Sequence, residues 1–250
     1  MTVHAFLVSF LSLLLLTPLL PWAGACALAI TVERAAGVHV PWSHRRSNLL
    51  TGIWVLVVMA VTVPCLALAL SLLHRSFHVS PLPLDRGYPA AFILGPCAWL
   101  LLYDLGYYVL HRAEHRFLWL WRIHAVHHAD PSVNATTYVR QHVLENVLQS
   151  FLLLLPMLLC FRLSPSSALI VSLFSACLQF WIHADVPVHY GPAGCLLCSP
   201  LQHRLHHARD VRVGSCNYAG SFPVLDLLFG TYRRPAASVV TGLPVEAFPS

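Results

Sequence analysis

The stretch that decides the fold is YPAAFILGPCAWLLLYDLGYYVLHRAEH, Tyr88 to His115. From Tyr88 to Leu110 its only charge is Asp104, and a helix needs about 20 apolar residues to cross the hydrocarbon core of a bilayer. The run then passes without a break into His111-Arg-Ala-Glu-His115. On a helix, H-x3-H places both imidazoles on one face, a turn apart. One helix therefore both spans a membrane and projects a metal-ligand pair just beyond it. Asp104 and Tyr108 precede His111 on the same stripe and are candidates for holding an imidazole in one tautomer.

The rest of the chain repeats this apolar theme. Of 250 residues, 57% are hydrophobic and 10% charged, against roughly one quarter charged in soluble domains. Ala5 to Ile30 and Leu49 to Leu73 carry no charge and read as spans, while Val147 to Phe161 and Pro165 to Ile182 are shorter and read as tilted spans or a re-entrant hairpin. The fold class is an all-α integral membrane protein, a bundle of about four to five transmembrane or re-entrant helices with a cytoplasmic histidine-rich helical cap. Ala23-Gly24-Ala25 offers a rival reading of the first run as a cleaved signal peptide, but no Lys or Arg lies in Met1 to Ala5, which favours a span. All fifteen basic residues are arginines. They sit at the ends of apolar runs rather than on one polar face, which argues against nucleic acid as a partner. The positive-inside rule puts the first loop and the segment after Leu110 in the cytoplasm, with the amino terminus outside; the membrane would be a bacterial inner membrane or the endoplasmic reticulum.

Two further histidine clusters share one pattern: HAVHH at His124 to His128 and HRLHH at His203 to His207. Each H-x-x-H-H gives an i, i+3 pair plus a neighbour rotated by about 100° on a helix, so adjacent histidines can reach two metals, or one metal and one bridging position. The eight imidazoles of His111, His115, His124, His127, His128, His203, His206 and His207 exceed a tetrahedral zinc site and suit a metal pair. Runs four and five return the third cluster to the side of the first two. His183 ends the fifth run and is a candidate ninth ligand. His142 is a candidate for a supporting or substrate-cavity role, whereas His189 reads as a loop residue. Glu114, Asp130, Asp185 and Asp210 lie beside the clusters and are expected to hydrogen-bond to ligand imidazoles. Imidazole suits iron, zinc, copper and nickel, which leaves the metal open. Cys195-Leu-Leu-Cys198 has redox or metal spacing, but one CxxC without a second pair reads as ordinary packing.

HRAEH, HAVHH and HRLHH, in this order around a hydrophobic hairpin, resemble the three histidine boxes of the fatty acid hydroxylase or sterol desaturase superfamily. Asp104-Leu-Gly-Tyr107-Tyr108, Trp121-Arg-Ile-His124, Asp130-Pro131, Ser199-Pro200, Asn217-Tyr218 and Asp226-Leu-Leu-Phe229-Gly230-Thr231-Tyr232 strengthen the resemblance. It divides the chain into amino-terminal transmembrane helices (1–88), a catalytic domain (89–233) and a tail (234–250). It implies a nonhaem centre of two iron ions using O2 as co-substrate to oxidise a C–H bond of a sterol or fatty acyl lipid. The same eight histidines, with His183, would be the ligands, and Asn217 joins Asp104, Tyr108, His142 and Asp185 among the supporting candidates. Electrons would come from NAD(P)H through a separate electron-transfer protein. A lipid desaturase with the same centre is the nearest alternative. A zinc hydrolase is disfavoured by the lack of HExxH, and a metal transporter by spans whose only ionisable group is Asp104.

Overall fold

In hydrocarbon, a chain segment can satisfy its N–H and C=O groups only by bonding to itself, so apolar runs become helices. The computed structural model describes residues 22–78, 80–234 and 239–243. Helix α1 covers residues 22–35, followed by α2 (Trp42–Phe77), α3 (Ala91–Arg116) and α4 (Leu118–His128). Next come α5 (Val143–Cys160) and α6 (Pro165–His183), then three short helices, α7 (Pro200–His206), α8 (Val211–Gly214) and α9 (Val224–Leu228). Helices α2, α3, α5 and α6 are each long and apolar enough to cross a membrane. The all-α membrane class therefore holds, and the fourth and fifth apolar runs are both of spanning length. Of the first run, residues 22–30 lie in α1, Ala23 to Ala25 included, and the remainder lies outside the described residues.

The four long helices alternate in direction, which sorts the connections between two ends. At the far end, the α2–α3 and α5–α6 connections pair as a short parallel ladder, Leu82 with Phe161 and Pro83 with Arg162. Asp85 accepts the Ser164 N–H at 2.8 Å there, beside the start of α6. Gly95 lets α3 lie against this connection, because a Cβ at that position would come within 2.6 Å of the Leu84 carbonyl oxygen. Within α5 the ladder widens to a π turn over Ser150–Leu154, just before Pro156, whose missing N–H interrupts the α-helical pattern.

The opposite end carries the histidines. The fully buried Glu33 of α1 pairs with Arg45 of α2 at 2.7 Å and accepts the N–H groups of Ala135 and Asp185, each at 2.8 Å. Asp130 accepts from Asn48 of α2 at 2.7 Å and from Thr137 at 2.6 Å. Asn134 caps the 3-10 turn Ala135–Val139. These bonds tie α1 and α2 to the loop leaving α4. Helix α7 starts on a reciprocal capping box, in which Ser199 accepts the Gln202 N–H and Gln202 accepts the Ser199 N–H, the arrangement that satisfies two otherwise orphaned donors.

Candidate metal centre

Helix α3 carries His111 and His115 in its last turns; the chain then bends at Phe117, which is extended (φ −107°, ψ 122°), and α4 folds back with His124, His127 and His128. His183 is the last residue of α6, and α7 presents His203 and His206, with His207 as its C-cap. Nine imidazoles collect into two groups: His111, His115, His124, His128 and His206 in one, His127, His183, His203 and His207 in the other, with the ligand nitrogens of each group all within 4.8 Å of one another. The rotation between adjacent helical residues explains the sorting. HAVHH sends its i, i+4 pair, His124 and His128, to the five-histidine group and His127 to the other. HRLHH does the reverse, sending His203 and His207 to the four-histidine group and His206 across. The groups adjoin where the rings of His128 and His207 stack with centroids 4.3 Å apart.

Hydrogen bonding fixes the tautomers of several of these rings. His127 Nδ1 lies 3.1 Å from the Arg140 carbonyl oxygen, and His183 Nδ1 lies 2.7 Å from that of Gln179. A carbonyl only accepts, so each Nδ1 carries the hydrogen and each neutral ring turns a bare lone pair outward at Nε2. Those two Nε2 atoms face each other at 3.2 Å, with no proton to share. A metal about 2.1 Å from each of two nitrogens at right angles would hold them about 3.0 Å apart. In the five-histidine group, His111 Nδ1 and His206 Nδ1 are likewise tied to the carbonyls of Tyr218 (2.7 Å) and Cys216 (2.8 Å). Nε2 of His115 and of His206 is buried without a partner among the described residues. The donor set therefore fits two first-row divalent metal ions.

Electrostatics agrees. Burial pushes the His127 imidazole down to about 4, with the charge of His124 adding to the effect, and pushes His206 down to about 3. Burial also holds His128, His203 and His207 well below the ordinary histidine value. These rings stay neutral, the form in which a nitrogen binds metal. At His124 burial works against charge, but the Glu145 carboxylate, 3.1 Å from Nδ1, outweighs it and raises the pKa, with Glu114 Oε2 at 3.5 Å contributing. A metal on Nε2 would supply the positive charge that these carboxylates favour. Glu145 escaped the sequence reading: it lies 21 residues from His124, on another helix, with no spacing to flag it.

Apart from Glu114, beside His124, the side chains expected to support the ligands lie elsewhere. Asp104 accepts the N–H groups of Gly220, Ser221 and Phe222; Tyr108 bonds Thr231 at 2.9 Å; His142 caps α5; and Asp185 pairs with Arg204 at 2.7 Å. Asn217, in the left-handed region at φ 54°, accepts the Arg233 N–H at 2.8 Å. Asp130 holds the loop described above, and Asp210 pairs with Arg212. None of these side chains bonds a clustered imidazole. Most Nδ1 partners are backbone carbonyls instead, and Asp104 and Asn217 act one step back by fixing the segment that presents the Cys216 and Tyr218 carbonyls.

Cys195 and Cys198 are free thiols, with Cys195 Sγ directed at the Pro192 carbonyl and Cys198 Sγ at that of Ser199. Cys198 is buried beside Leu178 and Ile182. Replacing both with serine is expected to leave the metal content and turnover of the purified protein unchanged. A lost metal ion would place the pair in the centre.

Comparison with known proteins gives independent information. A model of the fatty acid hydroxylase family matches residues 97–231, which include all nine clustered histidines. Alkylglycerol monooxygenase of Xenopus tropicalis is 34% identical over 158 residues, 61% of this chain and 35% of that protein. The Homo sapiens enzyme of the same name is 35% identical over 147 residues, 58% and 32% of the two chains. Ornithine lipid hydroxylase OlsE of Rhizobium tropici is 29% identical over 150 residues, 59% and 44%. The matched region thus spans 32% to 44% of these relatives. No solved structure matches.

Proposed function

This chain belongs to the fatty acid hydroxylase family, and on that premise we propose that it is an O2-dependent membrane lipid hydroxylase holding two iron ions in its paired histidine groups. The observation that carries the reading is the facing pair of lone-pair nitrogens on His127 and His183, a contact that a metal ion resolves and a hydrogen bond does not. The named activities of the relatives, alkylglycerol monooxygenase and ornithine lipid hydroxylase, support lipid oxidation. The overall reaction balances as R–H + O2 + 2 electrons + 2 protons giving R–OH + H2O. Iron supplies the O2 activation. The protein supplies the rest: carbonyls of Arg140, Gln179, Cys216 and Tyr218 fix each ring's tautomer, Glu145 and Glu114 set the charge behind His124, and burial keeps bulk water from the centre. The substrate is a membrane lipid of sterol or fatty acyl type, and a separate electron-transfer protein fed by NAD(P)H delivers the electrons.

The histidine end is proposed to face the cytoplasm. Of the fifteen arginines, only Arg75, Arg86 and Arg162 lie at the far end, in the loops or helix ends around the short ladder. This asymmetry is the signal that orients spans.

Lipidomics under oxygen-18 tests the proposal, with cells expressing the wild type compared to cells expressing a His127→Ala, His206→Ala double variant. A lipid that gains one labelled oxygen only with the wild type is expected, alongside about two irons per chain in the purified protein, one for each group. Loss of two hydrogens without label would make the enzyme a desaturase. Bound zinc with no O2-dependent product would overturn the oxygenase reading altogether.

A further inference from the structure

Eight of the nine clustered imidazoles are buried, and His115 is the exception. It helps to line a cavity of about 460 Å³, together with Arg112, Arg116, Phe117 and Tyr218. The five-histidine group thus adjoins this cavity through His115, while every ring of the four-histidine group is buried. We propose that this cavity is the headgroup site of the substrate, that it takes an anionic, phosphate-bearing lipid headgroup between Arg112 and Arg116, and that oxidation falls on the first few carbons beyond that headgroup. The oxidation step rests on the hydroxylase reading above; the binding step does not.

Arg112 and Arg116 stand one helical turn apart at the end of α3, both exposed, so their guanidinium groups can converge on one ligand. Arg112 donates to the Tyr108 hydroxyl at 3.2 Å, which steadies it without neutralising it. Neither arginine makes an ion pair with a carboxylate among the described residues, so an arriving anion displaces no paired carboxylate. Guanidinium groups match phosphate oxygens in geometry as well as charge.

The surroundings suit a bilayer surface. On one side of the arginines, Phe117, Leu118 and Trp119 are 52%, 57% and 63% exposed. On the other, α9 and the residue after it expose Leu227, Leu228 and Phe229, with Phe229 stacked on Tyr108 at 5.0 Å. Charged groups flanked by exposed apolar side chains at the end of a spanning helix match the boundary between headgroups and acyl chains, where tryptophan also concentrates. An acidic protein docked on the arginines would leave these apolar rims facing water.

The position of oxidation follows from His115. His115 both lines the cavity and belongs to the five-histidine group, so a headgroup held in the cavity sits beside the proposed reaction centre. A carbon midway along an acyl chain would lie far deeper in the bilayer.

Binding can be read without turnover. Purified, metal-loaded full-length protein in nanodiscs is presented with phosphatidic acid, with phosphatidylcholine, whose phosphate is offset by a choline cation, and with inorganic phosphate, and retention is measured by native mass spectrometry. The wild type is expected to bind phosphatidic acid at least about tenfold tighter than phosphatidylcholine. Arg112→Gln with Arg116→Gln should lose that preference with metal content unchanged, and Arg112→Lys with Arg116→Lys should recover part of it. Preference retained in the glutamine variant would overturn the site. Inorganic phosphate binding as tightly as phosphatidic acid would reassign it to the free anion. Preserved lipid binding with slowed reduction by an acidic electron carrier would reassign the arginines to protein docking. Fragmentation of the oxygen-18 product should place the label within the first few carbons from the headgroup, and a label in the distal half of the chain would overturn the positional claim. Should no oxygen be incorporated at all, the hydroxylase reading fails while the binding comparison still decides the headgroup site.

Discussion

Alanine at His127 is expected to remove one metal ion and leave one, and alanine at His206 to do the same at the neighbouring group. Among the described residues His127 is one of four imidazoles in its group, and its Nε2 faces that of His183 at 3.2 Å. His206 serves the five-histidine group, where its Nε2 is buried without another partner. Loss of the hydrogen-bonding partner of a ligand already costs about 10–100-fold in metal affinity or activity, so loss of a ligand should lower turnover by more than about 100-fold in each variant. Both proteins should still insert in the membrane, because the four long helices owe their placement to apolar length rather than to the cap. Metal content per chain, measured beside turnover on membrane-extracted protein, checks the split. Two metals retained in either variant would mean that its group does not hold one. Both metals lost from either would mean that the groups fill as a unit.

Much of this arrangement was legible in the sequence, because spans and histidine boxes are written in local spacing. Tyr88 to His115 reads directly as a helix that crosses and then carries two imidazoles, and α3 is that helix. The rotation between His127 and His128 already demanded two directions of ligation. The sequence could not say which histidine goes to which group, because that depends on how α4 and α7 cross, and their contact is set by tertiary packing. Nor could it name the groups that orient the rings. A carbonyl of Arg140, Gln179, Cys216 or Tyr218 carries no side-chain signature, so carboxylates and amides nearby drew the assignment instead. The tether between cap and spans was equally hidden: Glu33 and Asn48 bond residues of the loop after α4 that lie 102 and 82 positions away. Such pairing leaves no local pattern to read.

Asp104 shows how a residue picked out for the wrong contact can still control the centre. It is 3% exposed and accepts the N–H groups of Gly220, Ser221 and Phe222 at 2.9, 3.1 and 2.7 Å, while Asp226 accepts those of Tyr218 and Ala219. The two carboxylates pin a turn whose preceding carbonyls, on Cys216 and Tyr218, orient His206 and His111. Asp104→Ala would leave three N–H groups unpaired beside a spanning helix. At roughly 1–3 kcal/mol for each unsatisfied group, relaxed in part by local movement, a stability loss of about 3–5 kcal/mol is expected. Asparagine would not restore the site, since its amide presents an NH2 group where two acceptor oxygens are needed. The effect on metal should be selective. His111 and His206 belong to the five-histidine group, whereas His127 and His183 take their orientation from Arg140 and Gln179, outside this turn. Under a graded chelator challenge, Asp104→Ala should therefore release one metal about 10–100-fold more readily than the wild type and hold the other as before, alongside a lower unfolding temperature in detergent. Equal loosening of both metals would show that the turn supports the cap as a whole rather than one half of its centre.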